Sequence, residues 1–106
     1  MRYLYAQFLL NILMETKFVQ VLMDITINWQ GDPPQYRVYV ADELFSERTF
    51  DWQDHYLEEL LQIEAPAGKY PIRVELTDPT AGELKLKNMR IEYGPGSLYK
   101  GTLEIH

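Results

Sequence analysis

The sequence predicts an all-β protein: an antiparallel sandwich of about seven strands preceded by an apolar N-terminal arm or helix. Three observations carry this expectation. Apolar and polar residues alternate with a period of two through several short segments, which is the spacing of a half-buried strand. Turn-forming clusters rich in Gly, Pro and Asp recur between those segments at roughly 8 to 12-residue intervals, the rhythm of a sandwich or barrel. The chain of 106 residues is 46% hydrophobic and 25% charged, enough for one core and one domain of ordinary globular composition.

The elements follow in chain order. Residues 1–22 read as an arm, because Tyr3 to Met14 is apolar apart from Gln7 and Asn11. As a helix this segment would carry one narrow polar stripe at Gln7, Asn11 and Glu15, leaving most of its circumference in need of a partner surface. Docking on its own domain and reaching a neighbouring subunit are both open. The contact side chains would be Tyr3, Tyr5, Phe8, Leu9 and Ile12. The stretch is too short for the roughly 20 residues that span a bilayer. It also lacks a small-residue cleavage site, so no secretory signal is expected.

A sandwich domain is expected over residues 23–106, and Met23 is a conceivable alternative start because the pattern becomes cleaner there. Alternation itself already begins at Val19 and runs to Trp29, the strongest strand signal in the chain. Gln30 to Gln35 holds Gly31, Asp32, Pro33 and Pro34 and predicts a turn, followed by a strand over Tyr36–Val40. Ala41 to Glu43 is a tight turn into a third strand, Leu44–Phe50, with Asp51 to Asp54 as a loop. His55–Ala65 is ambiguous. Tyr56 to Leu61 has helical propensity, but Pro66 to Gly68 followed by Tyr70 favours a strand closing a hairpin. Tyr70–Leu76 alternates clearly, with Pro71 near its start or at an edge. In the next segment Leu84 and Leu86 share one parity and Met89, Ile91 and Tyr93 the other, predicting a β-bulge at Lys87–Asn88. Leu98–Ile105 is expected as a single closing strand.

Composition excludes several classes. Zero cysteines rules out disulfides, thiol catalysis and cysteine-based metal centres. A net charge of -6 disfavours nucleic acid and anionic membranes as partners. Residues 42–64 hold the excess, with Arg48 the lone cation among eight carboxylates. Such a run is a solvated acidic surface, a cation site or a face meeting a basic partner. With only His55 and His106 as imidazoles, and no serine in a nucleophile-elbow context, the residues do not assemble a catalytic set, so no enzyme is expected. No cofactor is expected beyond calcium, for which Asp78 and Glu83 are weak candidates in a loop without EF-hand spacing. Trp52 lies between Asp51 and Asp54, where an exposed ring would stack on a sugar or anchor a protein. Tyr39 joins these three as a candidate contact residue.

The segments Tyr36 to Arg48, Gly68 to Leu76 and Leu84 to Ile91 resemble the small jelly-roll sandwiches found among carbohydrate-binding modules and accessory structural proteins of tailed bacteriophages. The likeness covers about residues 23–93, and Asn88 before Met89 resembles the asparagine that precedes the last core strand in carbohydrate-binding relatives. This resemblance implies a non-enzymatic protein working through protein contacts, as a decoration, neck or tail component of a virion. Its setting would be the virion or the host cytoplasm, with self-association or virion assembly as the mode of partnership. The alternative it implies is a carbohydrate-binding module with an aromatic or calcium-assisted sugar site.

Overall fold

A computed structural model of the chain describes residues 15–52 and 55–106. Eight strands form among them: β1 (Thr16–Asn28), β2 (Gln35–Val40), β3 (Glu43–Thr49), β4 (Leu57–Pro66), β5 (Gly68–Leu76), β6 (Glu83–Tyr93), β7 (Gly96–Tyr99) and β8 (Thr102–Ile105). They build two antiparallel sheets, β4-β1-β6 and β3-β2-β5-β8-β7, packed face to face. The β-sandwich expected from the alternation is therefore the fold.

The alternating residues of β1 explain why it sits at the centre of its sheet. Val19, Val21, Met23, Ile25 and Ile27 are all buried, and the other sheet supplies Tyr36, Val38, Val40, Phe45 and Ile72 to the same core. Burying such side chains contributes about 1.5–3 kcal/mol each, so β1 is a main source of stability. The expected boundary at residue 22 falls inside this strand. Thr16 to Leu22 pair with β4, from Thr16 opposite Pro66 to Leu22 opposite Leu60. These seven residues are sheet, because their partner strand extends the hydrophobic face beyond the cleaner pattern starting at Met23.

The ambiguous segment 55–65 resolves as strand. Ten residue pairs with β1 outweigh the helical propensity of Tyr56 to Leu61, since a short isolated helix has no such partner. The bulge expected at Lys87–Asn88 is present: opposite β1 the register jumps between Leu22 and Asp24, and Asn88 has φ +56°. Asn tolerates that left-handed backbone better than most residues.

The closing strand differs from expectation. Leu98–Ile105 is the hairpin β7–β8, with Tyr99 opposite Thr102 across the two residues Lys100 and Gly101, whose φ angles are +48° and +79°. Two consecutive positive φ values define the tight turn whose twist matches antiparallel strands. Leu103 and Ile105 do face inward.

Connections between the sheets set the open and closed sides of the sandwich. Along one side the edge strands β6 and β7 touch, and the chain passes directly between them. On the other side the edges are β3 and β4, bridged by residues 50–56. From β4 the chain crosses back to β5 through Ala67, where the Tyr70 hydroxyl donates to the Pro66 carbonyl at 2.7 Å and pins the corner.

Candidate functional site

The β3–β4 side gathers the features that bear on function. Phe50, fully buried at the end of β3, meets Trp29 edge-on at 5.8 Å and Tyr36 at 6.3 Å, and its amide donates to the Pro34 carbonyl. This aromatic cluster anchors the start of the connection, so the next residues are carried outward. Trp52 is 48% exposed and Tyr56 59% exposed, and with His55 and Glu58 they line a shallow hollow. Tyr93 and Tyr99 are more exposed still, so what distinguishes Trp52 and Tyr56 is that they sit together in one hollow.

Beside that hollow an open groove of about 560 Å³ runs between the two edge strands, lined by Leu44 to Arg48 from β3 and Glu59 to Leu61 from β4. Glu59 shares the inward parity of Leu57 and Leu61, so its carboxylate enters the sandwich and is 3% exposed. It is compensated there. The Tyr36 hydroxyl donates to Oε1 at 3.3 Å and the Arg48 guanidinium to Oε2 at 2.7 Å. Burial, reinforced by the Glu59 charge, pushes the Tyr36 phenol well above its ordinary value. The Ser46 hydroxyl in the same wall is buried without a hydrogen-bond partner. Leu44 adds a third half-exposed apolar side chain to the rim.

The acidic run 42–64 is not a bare carboxylate face. Glu47 pairs with Arg37 at 2.5 Å, Glu58 with Arg90 at 2.7 Å and Glu59 with Arg48, while Asp42 lies 3.8 Å from Arg73. Arg37, Arg73 and Arg90 come from β2, β5 and β6, outside the run, which is why a local charge sum reveals only Arg48. Asp24 shares Arg90 with Glu58 and accepts from the Asn88 amide at 2.9 Å, so the bulge residue serves this network.

Of the expected contact residues, Trp52 and Asp51 lie exposed in the connection between β3 and β4. Asp54 lies outside the described residues, as do Tyr3, Tyr5, Phe8, Leu9 and Ile12. Tyr39 is not brought to Trp52. It sits half-buried on the outer face of the five-stranded sheet, opposite Arg73, whose guanidinium stacks over its ring at 4.2 Å. Asp78 caps its own turn, accepting from the Thr80 amide at 2.9 Å and hydroxyl at 2.7 Å, and these bonds hold its carboxyl below the ordinary value. Glu83 pairs with Lys85 at 3.5 Å. Among the described residues no three His, Cys, Asp or Glu side chains converge as metal ligands. No helix among them is long and apolar enough to cross a membrane.

Sequence reasoning missed Tyr56 and the Arg48–Glu59–Tyr36 cluster, and weighed His55 as an imidazole for catalysis rather than as a contact residue. The parity of Glu59 with Leu57 and Leu61 was the available signal for the cluster. Tyr56 carried none, because its exposure depends on where the connection leaves β3. No protein-family model, curated protein or solved structure matches the chain.

Proposed function

We propose that this chain is a non-enzymatic module that acts through protein-protein contact on its β3–β4 side. The observation that carries the reading is the exposed pair Trp52 and Tyr56 beside a groove between β3 and β4, the outermost strands of the two sheets among the described residues. Exposed aromatic rings grouped beside a groove are the anchors by which protein surfaces take up partners. A structural role in a larger assembly, such as an accessory component of a phage particle, is the setting this reading favours. Sedimentation of the full chain over a concentration series tests it against Trp52→Ala/Tyr56→Ala. The parent should gain mass with concentration while the folded variant stays monomeric. Identical behaviour of the two proteins would count against the reading.

The same exposed rings favour a second reading, sugar binding, because a ring face at the surface stacks on a pyranose. A glycan screen separates the two: retained binding in the parent and loss in Trp52→Ala, with solution mass unaffected, would select the sugar site.

A further inference from the structure

At the end of the five-stranded sheet opposite β3, the outer face of β5, β8 and β7 holds a hollow of about 350 Å³. Burial of Leu103 and Ile105 turns Thr102 and Glu104 outward, and the register sets Lys69 and Ser97 on either side of Glu104 and Tyr99 beside Thr102. Neighbouring strands lie about 4.8 Å apart, so the row Lys69–Glu104–Ser97 spans roughly 10 Å. Lys100 closes one end, its ammonium 5.4 Å from the centre of the Tyr99 ring.

Charge singles this hollow out. Every described arginine is in an ion pair, Lys85 pairs with Glu83, and Lys17 donates to the His106 carbonyl. The described cations without a carboxylate or carbonyl partner are Lys69, Lys87 and Lys100, and two of these three line this one hollow. Glu104 has no ion pair either, although Lys69 stands opposite it. Tyr99 beside them is 73% exposed. Lys100 also has φ +48°, at the first turn position, where Asn or Gly is favoured. A lysine held there against the preference of the backbone points to a use for its side chain.

We propose that this hollow binds a small aromatic monocarboxylate that also carries an amine or hydroxyl donor. The ligand carboxylate lies between the Lys69 and Lys100 ammonium groups, its ring packs on Tyr99, and its donor bonds to the Glu104 carboxylate. Two lysines against one glutamate leave a single positive charge, which a monoanion matches. A more highly charged ligand, such as an aryl phosphate, would set its second negative charge against Glu104, so this carboxylate selects for charge as well as for the donor. The volume lies at the small end of ligand sites and suits one ring with its substituents. The site is at the far edge of the sheet from β3 and stands independently of the contact surface proposed for the β3–β4 side.

Titration of the labelled full chain with 4-aminobenzoate, followed by amide NMR, tests this inference. Saturable shifts should gather on Lys69, Glu104 and the hairpin from Ser97 to Thr102, with a millimolar dissociation constant. Acetate, which lacks the ring, and aniline, which lacks the anion, should each bind at least tenfold more weakly. Lys100→Asn removes the ammonium and puts a favoured residue in the turn, so heat stability should hold or rise while affinity falls at least threefold. Glu104→Thr should bind benzoate and 4-aminobenzoate alike. Shifts that do not saturate, that gather at Trp52 and Tyr56 instead, or that are as large with acetate overturn the proposal. Undiminished affinity in a folded Lys100→Asn, or an unchanged preference for 4-aminobenzoate in a folded Glu104→Thr, overturns it as well.

Discussion

Arg48→Met tests the groove chemistry most sharply. Arg48 is half-exposed, while the Glu59 side chain it meets is 4% exposed and has the Tyr36 hydroxyl as its other partner. Breaking a fully buried pair costs about 3–5 kcal/mol, whereas an exposed pair is worth about 0.2–1 kcal/mol. One partner here is buried and the other wet, so the expected loss is about 2 kcal/mol. Urea unfolding reads this directly, as a midpoint drop of about 1 M for a slope near 2 kcal/mol/M that does not itself change. Glu59→Gln keeps an acceptor for Tyr36 and removes the buried charge, so the double variant should recover at least about 1 kcal/mol relative to additivity. A loss below about 0.5 kcal/mol in Arg48→Met, or strict additivity, would refute the view that Arg48 compensates a buried carboxylate.

Four further outcomes are expected. The neutral Tyr36 phenol is favoured in the folded state, so its contribution is present below its ordinary value of 10.0 and is lost as the pH rises toward the raised folded value; Tyr36→Phe should flatten that alkaline loss in pH-dependent unfolding. Asp78 is held low chiefly by the Thr80 hydroxyl, so its contribution is present above the ordinary carboxylate value and is lost as pH falls through the lowered one. In Thr80→Ala the Asp78 titration followed by NMR should move upward, and an unchanged midpoint would contradict that bond. Gly94 has φ +98°, and a Cβ there would run into the Phe18 carbonyl and Val19 Cα, so Gly94→Ala should destabilise by roughly 2 kcal/mol or more in thermal or urea unfolding. Finally, a chain started at Met23 lacks Thr16 to Leu22 and with them the buried Val19 and Val21; it should show no cooperative unfolding by circular dichroism, and a folded fragment would contradict the central place given to β1.

The fold was largely legible because its strands obey one rule, apolar side chains at every second position. Val19 to Ile27 satisfies it without exception, and the change of parity between Leu86 and Met89 predicts the bulge that Asn88 forms at φ +56°. Legibility failed where the relevant force is not local. Lys100 and Gly101 fold Leu98–Ile105 into a hairpin, although the apolar residues on either side read as one strand. For Thr16 to Phe18, which lie before the alternation begins at Val19, membership of β1 follows from pairing with Pro66 to Glu64 of β4 rather than from their own pattern. For the site, Trp52 between acidic neighbours signalled a contact residue, and it is exposed. Tyr39 looked equivalent and is instead fixed under Arg73, a partner 34 positions away that no spacing rule connects to it. The acidic run likewise lost its meaning as a bare face once β2, β5 and β6 delivered arginines to it.

The contact surface proposed for the β3–β4 side can be read by amide exchange of the full chain at low and high protein concentration. Added protection at high concentration should be confined to β3, β4 and the connection between them, with the same change absent from Trp52→Ala/Tyr56→Ala. Protection that ignores concentration, or that grows instead along β6 and β7, would contradict it.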